Sequence, residues 1–260
     1  MDARRQKRTQ LRPRINVLGV EVDDISQRKA VGTILEMAGD KEGGKYVVTV
    51  NSEFVMLAGR DPIFLKILNG ADLAVADGQW LVWAKLIFGG KEHDRVTGVD
   101  LVEKLCERCA KKAISVGFLG GFGSVAEMAA KRQKSKNPTL PVVFADSGDP
   151  TMGQDSRLKK RFLAIGRVDI LFVAYGMGQQ EFWIKRNKNS LDVGVFIGVG
   201  GAFDYLSMVK KRAPMWLQGA GFEWLWRLMA EPWRAKRMLR VFPLFWVLVF
   251  WQWFKNLQNS

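Results

Sequence analysis

The sequence predicts an α/β fold: a Rossmann-like, mostly parallel sheet with helices on both faces, followed by a C-terminal helical appendage. Three observations carry this. Short β-branched runs alternate with helical patterns of ten residues or more, the order of a parallel sheet built from strand–helix–strand units. The runs are apolar along their length, as strands covered on both sides are. Basic charge gathers at both chain ends, and tryptophan at the C-terminal one, leaving a nearly neutral middle.

The elements follow in order. "INVLGV" (15–20) reads as a first strand, a helical pattern covers 26–38, and "KYVVTV" (45–50) is the second strand. Residues 52–69 read as helix broken near Pro62, because proline lacks the N–H that a helix interior needs. "LAVA" (73–76) is a strand, followed by helical patterns at 79–88 and 99–112. "ISVGFLG" (114–120), "PVVFA" (141–145), "DILFVAYG" (169–176) and "VGVFIGVG" (193–200) complete the strands, with helices expected at 123–135, 155–165 and 179–188. No internal repeat or low-complexity linker interrupts the series. Residues 15–206 are therefore expected to form one α/β domain, with a basic arm at 1–14 and the appendage at 207–260.

At 260 residues and 48% hydrophobic content, the chain can bury a sizeable core. The net charge is +14. Residues 1–14 hold six basic and one acidic side chain, and residues 207–260 hold nine basic and two acidic, with seven of the ten tryptophans. Tryptophan and arginine beside apolar residues compose an interfacial membrane segment. The apolar run Val241–Trp251 is too short to span, since a helix needs roughly 20 apolar residues, and Pro243 interrupts it. The appendage is thus expected to lie on an anionic membrane surface, with Trp233, Arg234, Arg237, Arg240, Trp246, Trp251 and Trp253 facing it; the competing reading is a core helix pair with a solvated basic face. Nucleic acid is excluded as a partner, because its basic surface should lie on the folded body. Cys106 and Cys109 form a CxxC one turn apart on a helix, with a single histidine, His93, in the chain; zinc lacks ligands, and no metal or cofactor is expected. "MDARRQKRTQLRPR" carries no apolar stretch of a cleavable signal, which points to the cytoplasm.

Ligands in open α/β sheets bind beyond the carboxyl ends of the strands. Five strand ends here carry glycines or functional side chains: Asn51, Ser52 and Glu53; Asp77 and Gly78; Gly120, Gly121 and Phe122; Tyr175, Gly176, Gln180 and Glu181; and Gly200, Gly201 and Asp204. "LGGFGS" presents backbone N–H groups at a helix start, which suits a diphosphate, though a plain tight turn has the same composition. It is neither a dinucleotide fingerprint nor a P-loop. Asp77 follows four apolar strand residues and reads equally as a helix cap or as a catalytic base.

The blocks "TVNSEFVMLAGRDP", "ADLAVADGQWLVWA", "RVTGVDLVEKL", "GFLGG", "DILFVAYGMGQQEFWI", "VFIGVGGAFDYLSMVKKRAP" and "GFEWLWRLMAEPWRAKR" follow one another in order. From about residue 15 to 240 the chain resembles the WecB/TagA/CpsF family of glycosyltransferases (glycosyltransferase family 26). The resemblance implies an inverting, metal-independent transfer of an N-acetylmannosamine-type sugar or glucose. The donor would be a UDP-sugar and the acceptor a polyprenyl-diphosphate-linked saccharide, in cell-surface polysaccharide biosynthesis. It also implies a peripheral enzyme on the cytoplasmic face of the bacterial inner membrane, open to homo-oligomerisation. Carried onto this chain, the family's catalytic positions fall on Asp77, Thr49 and Asn51. Its substrate-binding positions fall on Arg95, Thr97, Gly98 and Asp100, to which the strand ends add Gly120, Gly121, Tyr175 and Gly176. Others fall on Gln180, Glu181, Phe203 and Asp204, and on Arg212 and Arg227, the C-terminal arginines expected to meet the donor diphosphate. The chain departs from the family at Val50, at Gly178–Gln179 and at Met208, which leaves the loop shapes and sugar preference open. The alternative reading is a non-catalytic peripheral membrane-binding α/β protein, which accounts for the basic end but not for five decorated strand ends.

Overall fold

The computed structural model describes residues 12–219, 221–230 and 235–258, and their side chains except at 219, 227, 230 and 235–240. The first predicted strand is instead a hairpin of β1 (Arg14–Val17) and β2 (Val20–Asp23). Leu18 and Gly19 both take positive φ, 52° and 89°, the conformation a two-residue hairpin loop demands, and the Asn16 side chain accepts the Gly19 N–H.

The other predicted strands build a six-stranded sheet. They are β3 (Lys45–Val50), β4 (Leu73–Ala76), β5 (Val116–Gly120), β6 (Val142–Asp146), β7 (Val168–Ala174) and β8 (Val193–Gly198). Their spatial order is β4-β3-β8-β7-β5-β6, and every pairing is parallel. Both faces are covered, as the uninterrupted apolar strands require. On one face pack the hairpin, α2 (Ser52–Ala58), α3 (Pro62–Asn69), α4 (Gln79–Ile87), α7 (Asp155–Ile165) and α8 (Gln179–Asn187). On the other pack α1 (Gln27–Ala38), α5 (Gly98–Lys112), α6 (Val125–Lys136) and α9 (Ala202–Leu206). Strand residues divide with period two: Val48 and Val50 enter the first core, Val47 the second. The break near Pro62 is real: Gly59 closes α2, Asp61 caps α3 by accepting from Ile63 and Phe64 N–H, and Pro62 fills its first position. Cys106 and Cys109 are buried free thiols on α5.

Beyond α9 come α10 (Met215–Gly219), α11 (Glu223–Ala230) and α12 (Ala235–Gln258), and α12 continues through Pro243. Instead of hanging from the body, α12 contributes to its core. Phe245 and Val249 are fully buried, and Trp246 packs half-buried beside them. One turn further, the Gln252 side chain accepts the Leu18 N–H at 2.8 Å and donates to the Asn16 carbonyl at 3.2 Å. An eleven-residue count could not show this, because Phe245, Val249 and Gln252 share a face only at the helical period. The opposite face is apolar too and exposed: Val247, Phe250, Trp251, Phe254 and Leu257, with Trp253 at its edge. No described helix is long and apolar enough to cross a membrane. Trp233 and Arg234 lie outside the described residues, as do the side chains of Arg227, Arg237 and Arg240.

Candidate active site

Two neighbouring hollows open at the carboxyl rim of the sheet. The first lies beyond β3 and β4 and is lined by Asn51, Asp77, Gly78, Trp80 and Arg95, with Glu223 and Trp224 of α11 and Val241 of α12 forming its outer wall. The second lies beyond β8, β7, β5 and β6. It is lined by Gly121, Phe122, Ser147–Pro150, Tyr175, Gly176, Gln179, Gly200, Gly201, Phe203 and Asp204. Since β3 and β8 are sheet neighbours, the two hollows lie beyond adjacent strand ends of the same rim.

Asp77 stands one residue past β4, and its N–H continues the sheet by donating to the Val50 carbonyl at 2.6 Å. The cap position of α4 is Gly78, which has φ 131° and makes no side-chain cap bond. Asp77 thus stands one residue ahead of the α4 cap position. Gly78 also lies within van der Waals reach of Asn51, since a Cβ there would meet the Asn51 Cβ at 3.4 Å. Asn51 lines the hollow while its side chain caps α2, accepting from Glu53 N and Phe54 N at 2.9 and 3.1 Å. Thr49 is buried, with its hydroxyl donated to the Gly198 carbonyl at 2.8 Å. It faces β8 rather than the hollow.

Arg95 is delivered by the loop after α4, which the structure holds firmly. Asp24 accepts from Lys91 N and Glu92 N and pairs with Lys85 at 2.7 Å, both charges almost fully buried. The Val96 N–H donates to the Ala76 carbonyl, which sets Arg95 beside the end of β4. Its guanidinium lies 3.0 Å from Glu223. Thr97 caps α5, and Gly98 sits against the Val199 backbone, where a Cβ would come within 2.8 Å of a carbonyl oxygen.

Arg212 does not line either hollow. Its guanidinium grips Asp100 with two hydrogen bonds of 2.6 and 3.1 Å and reaches Thr97, while its Nε lies 3.9 Å from Glu223. Arg95, Glu223, Arg212 and Asp100 thus tie the C-terminal segment to the rim. Burial alone would raise the Asp100 carboxyl, but the hydrogen bonds and charge of Arg212 hold it below the usual carboxylate range. A depressed carboxyl stabilises the fold above its unfolded pKa, and that contribution is lost as pH falls through the folded value. Arg212→Ala should cost about 2 kcal/mol at neutral pH by leaving a half-buried carboxylate unpaired. It should also flatten the acid limb of a melting-temperature profile; an unchanged profile would show that the pair contributes nothing.

The second hollow is built on glycine. Gly120 and Gly121 have φ of 112° and 80°, and a Cβ on Gly120 would lie 2.6 Å from the Ala174 backbone, so only glycine passes there. The helix begins two residues later than predicted, at Val125. Phe122, at the tip of this turn, is 93% exposed at the mouth of the hollow. Tyr175 buries its hydroxyl without a hydrogen-bond partner among the described residues, and burial pushes its pKa up. Gly148 leaves room for it, since a Cβ there would clash with that oxygen. Asp204 pairs with Lys210 at 2.8 Å, whereas Phe203 is buried against Phe118 and offers the hollow little of its ring. Gln180 and Glu181 lie beneath the floor, fully buried. Burial pushes the Glu181 carboxyl up to about 7, against the hydrogen bonds it accepts from Gln180 and Gly178.

Two parts of the rim were not foreseen. Ser147–Pro150 follow β6 as "SGDP", which the strand-end rule would have flagged had it been applied to the sixth strand. Glu223 is one of two carboxylates in the basic end, and that isolation was the available signal. Among the described residues no cluster of three or more His, Cys, Asp or Glu is placed to hold a metal ion.

The chain matches the sequence profile of the family described as Glycosyl transferase WecG/TagA/CpsF over residues 15–259. Three similar proteins bear the name N-acetylglucosaminyldiphosphoundecaprenol N-acetyl-beta-D-mannosaminyltransferase. That of Bacillus subtilis is 29% identical over 78% of this chain and 78% of its own length. That of Bacillus spizizenii is 30% identical over 78% and 77%. That of Staphylococcus aureus is 27% identical over 89% and 90%.

Proposed function

Since the chain belongs to the WecG/TagA/CpsF family of glycosyltransferases, we propose that it transfers an N-acetylmannosamine-type sugar or glucose from a UDP-sugar to a polyprenyl-diphosphate-linked saccharide, with inversion and without a metal. The observation that carries the reading is the adjacency of the two hollows: a carboxylate and an arginine in one, a glycine-built hollow in the other. The relatives' names support the reading, since those proteins are named for moving N-acetylmannosamine onto N-acetylglucosaminyl-diphospho-undecaprenol.

On this reading UDP occupies the glycine-lined hollow, with Phe122 at its mouth and Asp204 on its wall, and the donor sugar extends past the end of β8 toward Asp77. The acceptor enters from the Trp80–Trp224 side. Asp77 takes the proton of the acceptor hydroxyl as its oxygen bonds to the anomeric carbon. The bond from that carbon to the diphosphate breaks, and UDP leaves with the electron pair. Arg95 and the N–H groups of the glycine turns meet the developing negative charge. Thr49 and Asn51 act by shaping the end of β3, the first through Gly198 and the second through α2.

The exposed apolar face of α12 supports a peripheral position on an anionic membrane, where a lipid-linked acceptor resides. Trp251→Ser/Trp253→Ser should weaken binding to anionic vesicles while leaving turnover on a water-soluble acceptor intact; unchanged vesicle binding would sink the membrane role of this face. The donor assignment is tested by calorimetry in EDTA with UDP, ADP and GDP. UDP binding that survives chelation supports it. A protein that ignores UDP, or needs Mn²⁺ or Mg²⁺ to bind and turn over, would contradict it.

A further inference from the structure

The two fully buried polar side chains beneath the second hollow form one connected unit. Gly178 N–H donates to Glu181 Oε2 at 2.7 Å, and Gln180 Nε2 donates to Glu181 Oε1 at 2.6 Å. Gln180 Oε1 in turn accepts the Gly200 N–H at 2.9 Å. The loop after β7 and the loop after β8, both lining the hollow, are thereby joined through two side chains that never reach its surface. Gly198 makes room for them: a Cβ there would meet Gln180 Nε2 at 2.7 Å and Glu181 Oε1 at 2.9 Å. The Gly198 carbonyl accepts the Thr49 hydroxyl, so the same point of β8 also touches the strand that ends in the first hollow.

We propose that Gln180 and Glu181 are a positioning pair, a hydrogen-bonded brace that holds the two glycine loops in the shape that receives the donor nucleotide, without touching the donor. The proposal rests on the donor reading above. Its logic is directional. Both loop amides are donors, so the pair must present an acceptor at each end and one donor between. A carboxylate beside an amide does this in a single way. In Glu181→Gln, an isosteric change, two neutral amides face two N–H groups. If one end is satisfied, either the middle or the other end sets donor against donor. Exchanging the two residues restores the pattern: in Gln180→Glu/Glu181→Gln the amide accepts from Gly178 and donates to the new carboxylate, which accepts from Gly200.

The test measures UDP affinity by calorimetry, and donor KM and kcat with a lipid acceptor, for wild type, each single variant and the double exchange, with melting temperatures alongside. The singles should fold, bind UDP about tenfold more weakly and raise donor KM by a similar factor, with kcat within about threefold. The double exchange should return affinity and KM to within about threefold of wild type. Single variants that bind as wild type does, or a folded double exchange as weak as the singles, would overturn the proposal. Should the singles not fold, amide exchange in the wild type decides: Gly178 and Gly200 should be among the slowly exchanging amides of the rim, and rapid exchange at both overturns the brace. A wild-type protein that leaves UDP unbound fails the donor reading instead, a result the variants cannot mimic.

Discussion

Replacing Asp77 by asparagine is expected to lower kcat by about 10²–10⁴ while leaving UDP affinity nearly unchanged. The substitution keeps the shape of the side chain and removes its capacity to take a proton. Its position makes the result easy to interpret. Gly78, not Asp77, occupies the cap of α4, and asparagine keeps an accepting oxygen at position 77, so the melting temperature should hardly move. The Asp77 N–H bond to Val50 survives, being backbone to backbone. A variant that melts like wild type, binds UDP and turns over normally would remove Asp77 from the chemistry.

The second large effect concerns stability. Phe245→Ala is expected to cost about 3–5 kcal/mol, the range for emptying a buried aromatic site in a packed core. Phe245 is fully buried in the cluster that holds Trp80, Phe54 and the β1–β2 hairpin. Its loss should lower the melting temperature of the whole body by about 10 °C. Trp251, 62% exposed on the other face of the same helix, should change stability by less than about 0.5 kcal/mol. The contrast separates a helix that completes the core from one that merely follows it. Equal, small effects at both positions would mean that α12 is dispensable to the fold, and deletion of residues 235–258 should then leave a cooperative body.

Much of this was legible in the sequence. Strands such as "LAVA" and the "ILFVA" stretch of β7 are apolar at every position, and each lies in the parallel sheet. Pro62 marked a helix boundary through local backbone chemistry. The hairpin at Leu18–Gly19 was missed because a leucine in the left-handed region has no composition signal of its own. The docking of α12 stood only as the competing reading for a different reason: charge and tryptophan counts register what a segment contains, whereas Phe245 and Val249 are buried by a partner surface formed far away in sequence. The site shows the same division. Asp77, Gly78, Gly121, Tyr175, Gly176 and Asp204 line the rim hollows, as strand ends should. Gln180 and Glu181 stand out as residue types, but only three-dimensional packing places them under the floor. Arg212 was expected at a diphosphate, and its commitment to Asp100 depends on a contact spanning more than a hundred residues. Glu223 lines the first hollow against Arg95 because α11 forms its wall, a placement that its isolation among basic residues does not specify.

The central claim is that the two hollows act together to move a sugar onto a lipid-linked acceptor. It is tested most directly by mass spectrometry of the lipid. The purified protein is incubated in EDTA with a UDP-N-acetylmannosamine donor and a short-chain N-acetylglucosaminyl-diphospho-polyprenol, beside an Asp77→Asn control. The account predicts an acceptor heavier by one N-acetylhexosamine residue with wild type, equimolar UDP, and at least about a hundredfold less of both with the control over the same time. UDP release without a heavier lipid, or equal product from the Asp77→Asn variant, would contradict it.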